Sequence, residues 1–291
     1  MISRNSHGLI SIIWASFFFG LMAFMVKVLS KTLPAAEILF VRSFVGMLLV
    51  MALIFYIYRS FKTVNRNMLF VRGLFGGMSV FLYFTAISRI PLSSATMLAN
   101  SYPLFAAMFA VILLKERPHF DTALALLISF VGMYLILNPR FGALDLGYIL
   151  ALGSAVFGGV AVASIRQLRK TDSSLAIVFA FLAGGALFSL PFMARGFRTP
   201  GIFEWELLLA IAIVGTIAQI VFTRPFKIVT VYEGSVVALS NSVFTLLFSV
   251  LFLNEVLGPR FIAGALLIFG GSLYLIAKEE KWFARISKGA V

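Results

Sequence analysis

The chain has 291 residues, 61% hydrophobic and only 12% charged, with a mean hydropathy of +1.04. A soluble domain carries about a quarter charged residues, so this composition excludes an ordinary soluble enzyme and indicates a membrane protein. The net charge of +13 would suggest nucleic acid in a soluble chain, but here it follows the alternation of membrane loops described below.

Ten apolar runs reach the roughly 20 residues needed to cross a 30 Å hydrocarbon core. They are expected near 8–30, 35–58, 66–88, 93–114, 120–138, 147–166, 174–193, 205–226, 234–253 and 259–277. Their continuity excludes a strand barrel, whose spans alternate in and out over about ten residues. The longest connections, around 59–65 and 194–204, are too short to fold as a catalytic domain.

In the first span Trp14 and Phe18 are four apart and share a helical face, either as an aromatic cavity wall or as packing against lipid. Lys27 follows near the outer end. The second span holds Arg42, whose nearest carboxylate in sequence, Glu37, stands five positions away and off its face. A Glu37–Lys27 pair near the outer mouth is the better expectation. The third span carries a polar stripe, Arg72, Gly76, Ser79 and Tyr83, at steps of four, three and four. An arginine there costs about 2.5–3.5 kcal/mol on insertion scales, so Arg72 must face water, a partner or a substrate, or snorkel to the cytoplasmic headgroups. The fourth span places Thr96, Asn100 and Pro103 on one face with Tyr102 adjacent. Pro103 cannot bond the carbonyl of Ala99 and should kink the helix. In the second half, Gln219 lies deep in the eighth span, and Ser240, Asn241 and Thr245 lie in the ninth. These amides and hydroxyls serve either a ligand or helix–helix adhesion, worth about 0.6 kcal/mol each.

Shifting the chain by 139 residues superimposes its landmarks without a gap: Gly20 on Gly159, Lys31 on Lys170, Gly76 on Gly215, Ser101 on Ser240 and Glu116 on Glu255. The halves 1–139 and 140–291 are therefore read as two copies of five spans each. An odd number of spans forces the second copy to enter from the opposite side, an inverted repeat, as in many secondary transporters. The matched Glu116 and Glu255 stand at helix ends on opposite sides, which suits bonding to loop amides. Outside the spans, fourteen Lys and Arg fall on the N-terminal side of the membrane and six on the other. Both termini are accordingly expected in the cytoplasm. The first run lacks a cleavage-site pattern and should persist as a helix. There is no cysteine, and the two histidines, His7 and His119, are isolated. No cofactor and no metal site are expected.

The segment from Phe84-Thr85-Ala86-Ile87-Ser88-Arg89-Ile90-Pro91 through Asn100-Ser101-Tyr102-Pro103 to Leu114-Lys115-Glu116-Arg117 carries a recognisable pattern. It resembles the drug/metabolite transporter superfamily, EamA type: a small-residue helix with a mid-helix proline, ending in an apolar-x-Glu. The second copy repeats it from Val231 to Leu253-Asn254-Glu255, with Ser242 in place of the proline. Lys27, Glu37-x-x-Phe40-x-Arg42 and Arg72-Gly73 are similar to the branch with bacterial amino-acid exporters and S-adenosylmethionine carriers. The resemblance implies that spans 1–4 and 6–9 enclose a central cavity, with spans 5 and 10 at the periphery.

The fold class expected is thus all-α integral membrane, ten helices in two inverted repeats, in an inner or plasma membrane. The function expected is secondary transport of a small metabolite by alternating access, with Trp14, Phe18, Arg42, Arg72, Ser79, Tyr83, Asn100, Tyr102, Gln219 and Asn241 as substrate-binding candidates. Basic but no acidic residues at depth favour a carboxylate-bearing or zwitterionic substrate, such as an amino acid or derivative. Partners are that small molecule and membrane lipids, not nucleic acid, and the chain is compatible with a monomer. The alternative is an integral-membrane enzyme acting on a lipid or lipid-linked substrate, which would show interfacial His, Asp or Glu clusters that this chain lacks.

Overall fold

The computed structural model describes residues 4–58, 63–105, 145–229 and 237–268, with isolated positions at 127–128, 131–132, 134–136, 234 and 270. All regular structure among them is helical: α1 (Arg4–Leu29), α2 (Ala35–Tyr58), α3 (Arg66–Arg89), α4 (Leu92–Ala99), α5 (Leu146–Leu168), α6 (Ser174–Gly196), α7 (Ile202–Thr223), α8 (Ser240–Leu253) and α9 (Pro259–Ile268). Six of these, α1 to α3 and α5 to α7, are long and apolar enough to cross a membrane. They coincide with the expected first three spans and the sixth to eighth. Glu116, Lys115, Arg117, His119, Arg140 and most of the fifth span lie outside the described residues, as does the basic C-terminal segment.

Helix starts follow ordinary capping chemistry. The side chains of Asn65, Asp145 and Ser173 accept from the amides of Met68, Gly147 and Ala176 at 3.1, 2.7 and 3.1 Å. Glu204 reaches back to the Gly201 amide at 2.7 Å.

The helices of the two halves interdigitate: α3 lies against α5 and α6, α1 against α7 and α8, α2 against α6 and α7, and α4 against α5 and α8. Lipid tails are as apolar as leucine, so close van der Waals approach must hold these pairs together. Glycines permit it. A Cβ at Gly184 of α6 would overlap the backbone of Gly73 in α3, and one at Gly73 would stand 2.7 Å from the Ala180 carbonyl oxygen. Gly132 and Gly264 repeat the device toward α9, where added Cβ atoms would meet each other's carbonyls at 2.7 and 2.6 Å. Large apolar side chains such as Leu48, Phe55, Leu187 and Leu251 point outward, as a lipid-facing surface requires.

Two helices are interrupted at depth. α4 stops at Ala99, a turn occupies Asn100 and Ser101, and helical backbone resumes over residues 102–105. Pro103, which has no amide hydrogen, explains the interruption. In the second half, helical bonding is interrupted at Leu239, which is 139 positions beyond Asn100. There Ser242 stands where proline would, so the interruption needs another cause. Hydroxyls supply one: Ser101 Oγ donates to the Leu98 carbonyl and Ser240 Oγ to the Val237 carbonyl, both at 2.6 Å. Asn100 Nδ2 donates to Ser242 Oγ at 2.7 Å and so joins the two interruptions.

Charges near the helix ends are met by backbone. Lys27 Nζ donates to the carbonyls of Ile87 and Ile90, at the end of α3, at 2.7 and 2.8 Å. Glu255 accepts from the amides of Leu92 and Ser93, at the start of α4, at 2.6 and 3.0 Å. Each charge thus opposes the helix terminus of complementary polarity. The Glu37–Lys27 pair does not form, because Glu37 instead accepts from the Arg198 amide at 3.1 Å. At the other end of the bundle, Asp172 accepts from the amides of Val64 and Asn65 at 2.8 and 3.2 Å and from Thr171 Oγ1 at 2.6 Å.

Candidate functional site

Between the halves lies a cavity of about 170 Å³, bordered by α1 to α7 and by the segments around both interruptions. A site for one water occupies about 10–15 Å³, so the space has room for a small metabolite. Arg42 reaches it from α2, Arg72, Ser79 and Tyr83 from α3, Asn100 and Tyr102 from the first interruption, Gln219 from α7 and Asn241 from α8.

Trp14 and Phe18 do not line it. Trp14 is 58% exposed, and both rings belong to an aromatic group with Phe17, which packs on Phe244 and Phe248. The inward face of α1 is Ser16, Phe19 and Met22, spaced three apart. The spacing of Trp14 and Phe18 put them on one face correctly but carried no information on which way that face turns.

Arg72 does not snorkel. It is 3% exposed, and its guanidinium carbon sits 4.5 Å from the centroid of the Phe181 ring of α6. Arg42 is 1% exposed, and its guanidinium carbon lies 5.3 Å from the same centroid. Both distances are in the range where a cation is attracted by a ring face. Gly76 makes room, since a Cβ there would meet the Phe181 ring at 2.7 Å. Among the described residues, Nε and Nη1 of Arg42 and Nε of Arg72 have no hydrogen-bond partner. Among the described residues lining the cavity there is no Asp or Glu.

Several of the remaining polar groups are engaged within the chain. Tyr83 OH and Thr96 Oγ1 are 2.7 Å apart, Ser79 Oγ donates to the Ser154 carbonyl at 2.8 Å, and Thr245 Oγ1 donates to Asn241 Oδ1 at 3.2 Å. The two guanidinium groups are therefore the strongest unmet hydrogen-bonding capacity in the wall. Among the described residues no cluster of His, Asp or Glu could hold a metal ion.

Phe181 is the main lining residue that the sequence reading passed over. A phenylalanine in an apolar span carries no signal of its own. Its position does, because it lies 139 residues beyond Arg42.

A bundle of membrane-length helices around a buried, polar and cationic cavity has the build of a membrane transporter. The chain belongs to the EamA-like transporter family, which it matches over residues 6–138 and again over 145–277. That family comprises transporters rather than enzymes. The chain is 36% identical to the pseudopaline exporter CntI of Pseudomonas aeruginosa over 263 residues, covering 90% of this chain and 93% of that one. It is 26% identical to the S-adenosylmethionine uptake transporter of Rickettsia bellii, covering 88% and 89%. To human solute carrier family 35 member G1 it is 25% identical, covering 95% and 80%. One crystal structure superimposes with a TM-score of 0.65 at 19% identity, over 96% of this chain and 99% of that one, a likeness of fold alone.

Proposed function

We propose that this protein is a secondary carrier that moves a small carboxylate-bearing or zwitterionic metabolite across the inner or plasma membrane by alternating access. Arg42 and Arg72 are the anion-recognising groups. Ser79, Tyr83, Asn100, Tyr102, Gln219 and Asn241 supply the neutral polar contacts. The observation that carries this reading is the pair of buried guanidinium groups facing a cavity with no acid among its described lining residues. A buried charge is costly unless paired, so groups left in this condition are expected to await a partner from outside the chain.

Ten spans in two inverted repeats, 1–139 and 140–291, with both termini cytoplasmic, supply the mechanism. Support comes from the lining itself. Phe19 and Gly158, Met22 and Ala161, Val80 and Gln219, Tyr83 and Phe222, and Tyr102 and Asn241 all border the cavity, and the members of each pair are 139 apart. A site shared by equivalent positions of two copies lies near their pseudo-two-fold axis, where rocking of one copy against the other would expose it to either side. The interrupted helices at that depth fit the same scheme. Among its relatives, one is named as an exporter and another as an uptake transporter, so related chains serve both directions.

The absence of cysteine makes the chain its own background for a test. Single cysteines at Ser16 and Ser79 should react with a membrane-impermeant maleimide added to either face. Cysteines near Lys170 should label only from the cytoplasm and those near Arg198 only from outside. Cavity cysteines that label from one face alone under every condition would rule out alternating access. Loop cysteines that label from the same face would rule out the inverted repeat.

A further inference from the structure

Arg42 and Arg72 pose a charge problem that a single carboxylate does not solve. Both guanidinium carbons lie within 6 Å of one ring centroid, so they are separated by no more than about 10 Å. One carboxylate bound to one of them leaves the other buried with only the ring for company. A simple amino acid adds a positive ammonium to a wall whose described residues already carry two cations and no acid.

We propose that the cavity recognises a molecule with two carboxylates on a short spacer, one held by Arg42, the other by Arg72, with the Phe181 ring against the spacer. This rests on the carrier reading above and narrows its substrate class. Each guanidinium presents a planar fork suited to a carboxylate and borders the cavity, and the buried, unpartnered Nε and Nη1 of Arg42 and Nε of Arg72 show that the chain itself does not satisfy the pair. Two carboxylates neutralise the pair. The ring, which both cations approach, is the shared contact between them, so its size bears on the spacing at which two anions fit. Phe181 thereby acts as a specificity-determining residue.

The test uses the full-length protein in lipid nanodiscs. Thermal unfolding is followed against linear dicarboxylates from succinate to pimelate, the monocarboxylates of matching length, and inorganic phosphate. One dicarboxylate should stabilise the protein and bind at least about thirtyfold more tightly than its monocarboxylate, the difference expected when one of two buried charge pairs is removed. Arg42→Gln and Arg72→Gln should each reduce that dicarboxylate to the level of the monocarboxylate, measured against each variant's own unliganded melting point. Should either fail to fold, the corresponding lysine variant, which keeps the charge but not the fork, should bind the dicarboxylate more weakly while retaining a preference over the monocarboxylate. Phe181→Leu should shift the preferred dicarboxylate length. Equal stabilisation by mono- and dicarboxylates, stabilisation by phosphate alone, or no response to any dicarboxylate would overturn the proposal. Counterflow in proteoliposomes separates the two readings. A dicarboxylate that binds but is never exchanged defeats the carrier while leaving the site. Exchange of monocarboxylates without dicarboxylate preference defeats the two-carboxylate site while leaving the carrier.

Discussion

The charges at the ends of the bundle and the charges at its centre are satisfied in opposite ways. Lys27 and Glu255 grip the α3–α4 turn, one on the carbonyls that end α3 and the other on the amides that begin α4. Their electrostatic needs are met inside the chain. Arg42 and Arg72, more deeply placed, face only a ring and a cavity. A charge answered by backbone serves the fold, whereas the charges left without an anion are the ones proposed to serve a visitor. Substitution at the two places should consequently have opposite effects on stability and transport.

The largest effect is expected at the centre. Arg72→Gln should lower proteoliposome transport at least about thirtyfold, yet leave the unliganded melting temperature equal or higher, because a buried unpaired charge has been removed. A large fall in melting temperature would show that Arg72 is a structural group, and the contrast would fail. Glu255→Ala should do the reverse: about 1–3 kcal/mol of stability is lost from two unsatisfied helix-start amides, with substrate affinity in the folded fraction preserved. Pro103→Ala should act between these extremes. It restores an amide donor for Ala99 and favours continuous helix, so transport should slow several-fold while insertion and folding persist. Unchanged rates would remove the interruption from the mechanism.

The smallest effect concerns Asp172. Burial opposes ionisation of its carboxyl, but the Thr171 hydroxyl and the amides of Val64 and Asn65 more than offset it and hold its pKa below the ordinary value. A folded-state pKa below the unfolded one contributes stability that is fully present above the ordinary value of about 3.9 and fades as pH falls through the folded value. The melting-temperature gap between wild type and Asp172→Asn should thus be constant from about pH 8 to 5 and narrow only below about pH 4. A gap that closes near neutrality would mean that the loop is held by other contacts.

Much of this site was legible in the sequence, for reasons tied to helix geometry. Arg72, Gly76, Ser79 and Tyr83 share a stripe whose four-three-four spacing puts them together on α3, and all four border the cavity. Pro103 located the interruption in the fourth span because a missing amide hydrogen is visible in the residue name. The matching interruption at Leu239 was not, since serine hydroxyls bond backbone in many contexts and announce nothing by themselves. On α1, periodicity identified a common face for Trp14 and Phe18, while the face turned inward is that of Ser16, Phe19 and Met22. Ser16 is the one polar residue in the middle of α1, and a single small hydroxyl is too weak a signal to choose the face. The Lys27–Glu37 expectation failed for a related reason: backbone groups at helix ends compete for charges, and no sequence pattern names them.

Arg42 and Phe181 occupy equivalent positions of the two halves and yet touch. Two identical copies of one half would set the same side chain in both places. Two phenylalanines there would leave out the Arg42 cation, and two arginines would lack the ring that both cations now approach. A cation on a ring is an arrangement that only unlike halves can form. On the proposed two-copy architecture, joining the halves in one chain, which lets each drift separately, is a precondition for this site, and a transporter assembled from two copies of either half alone would lack it.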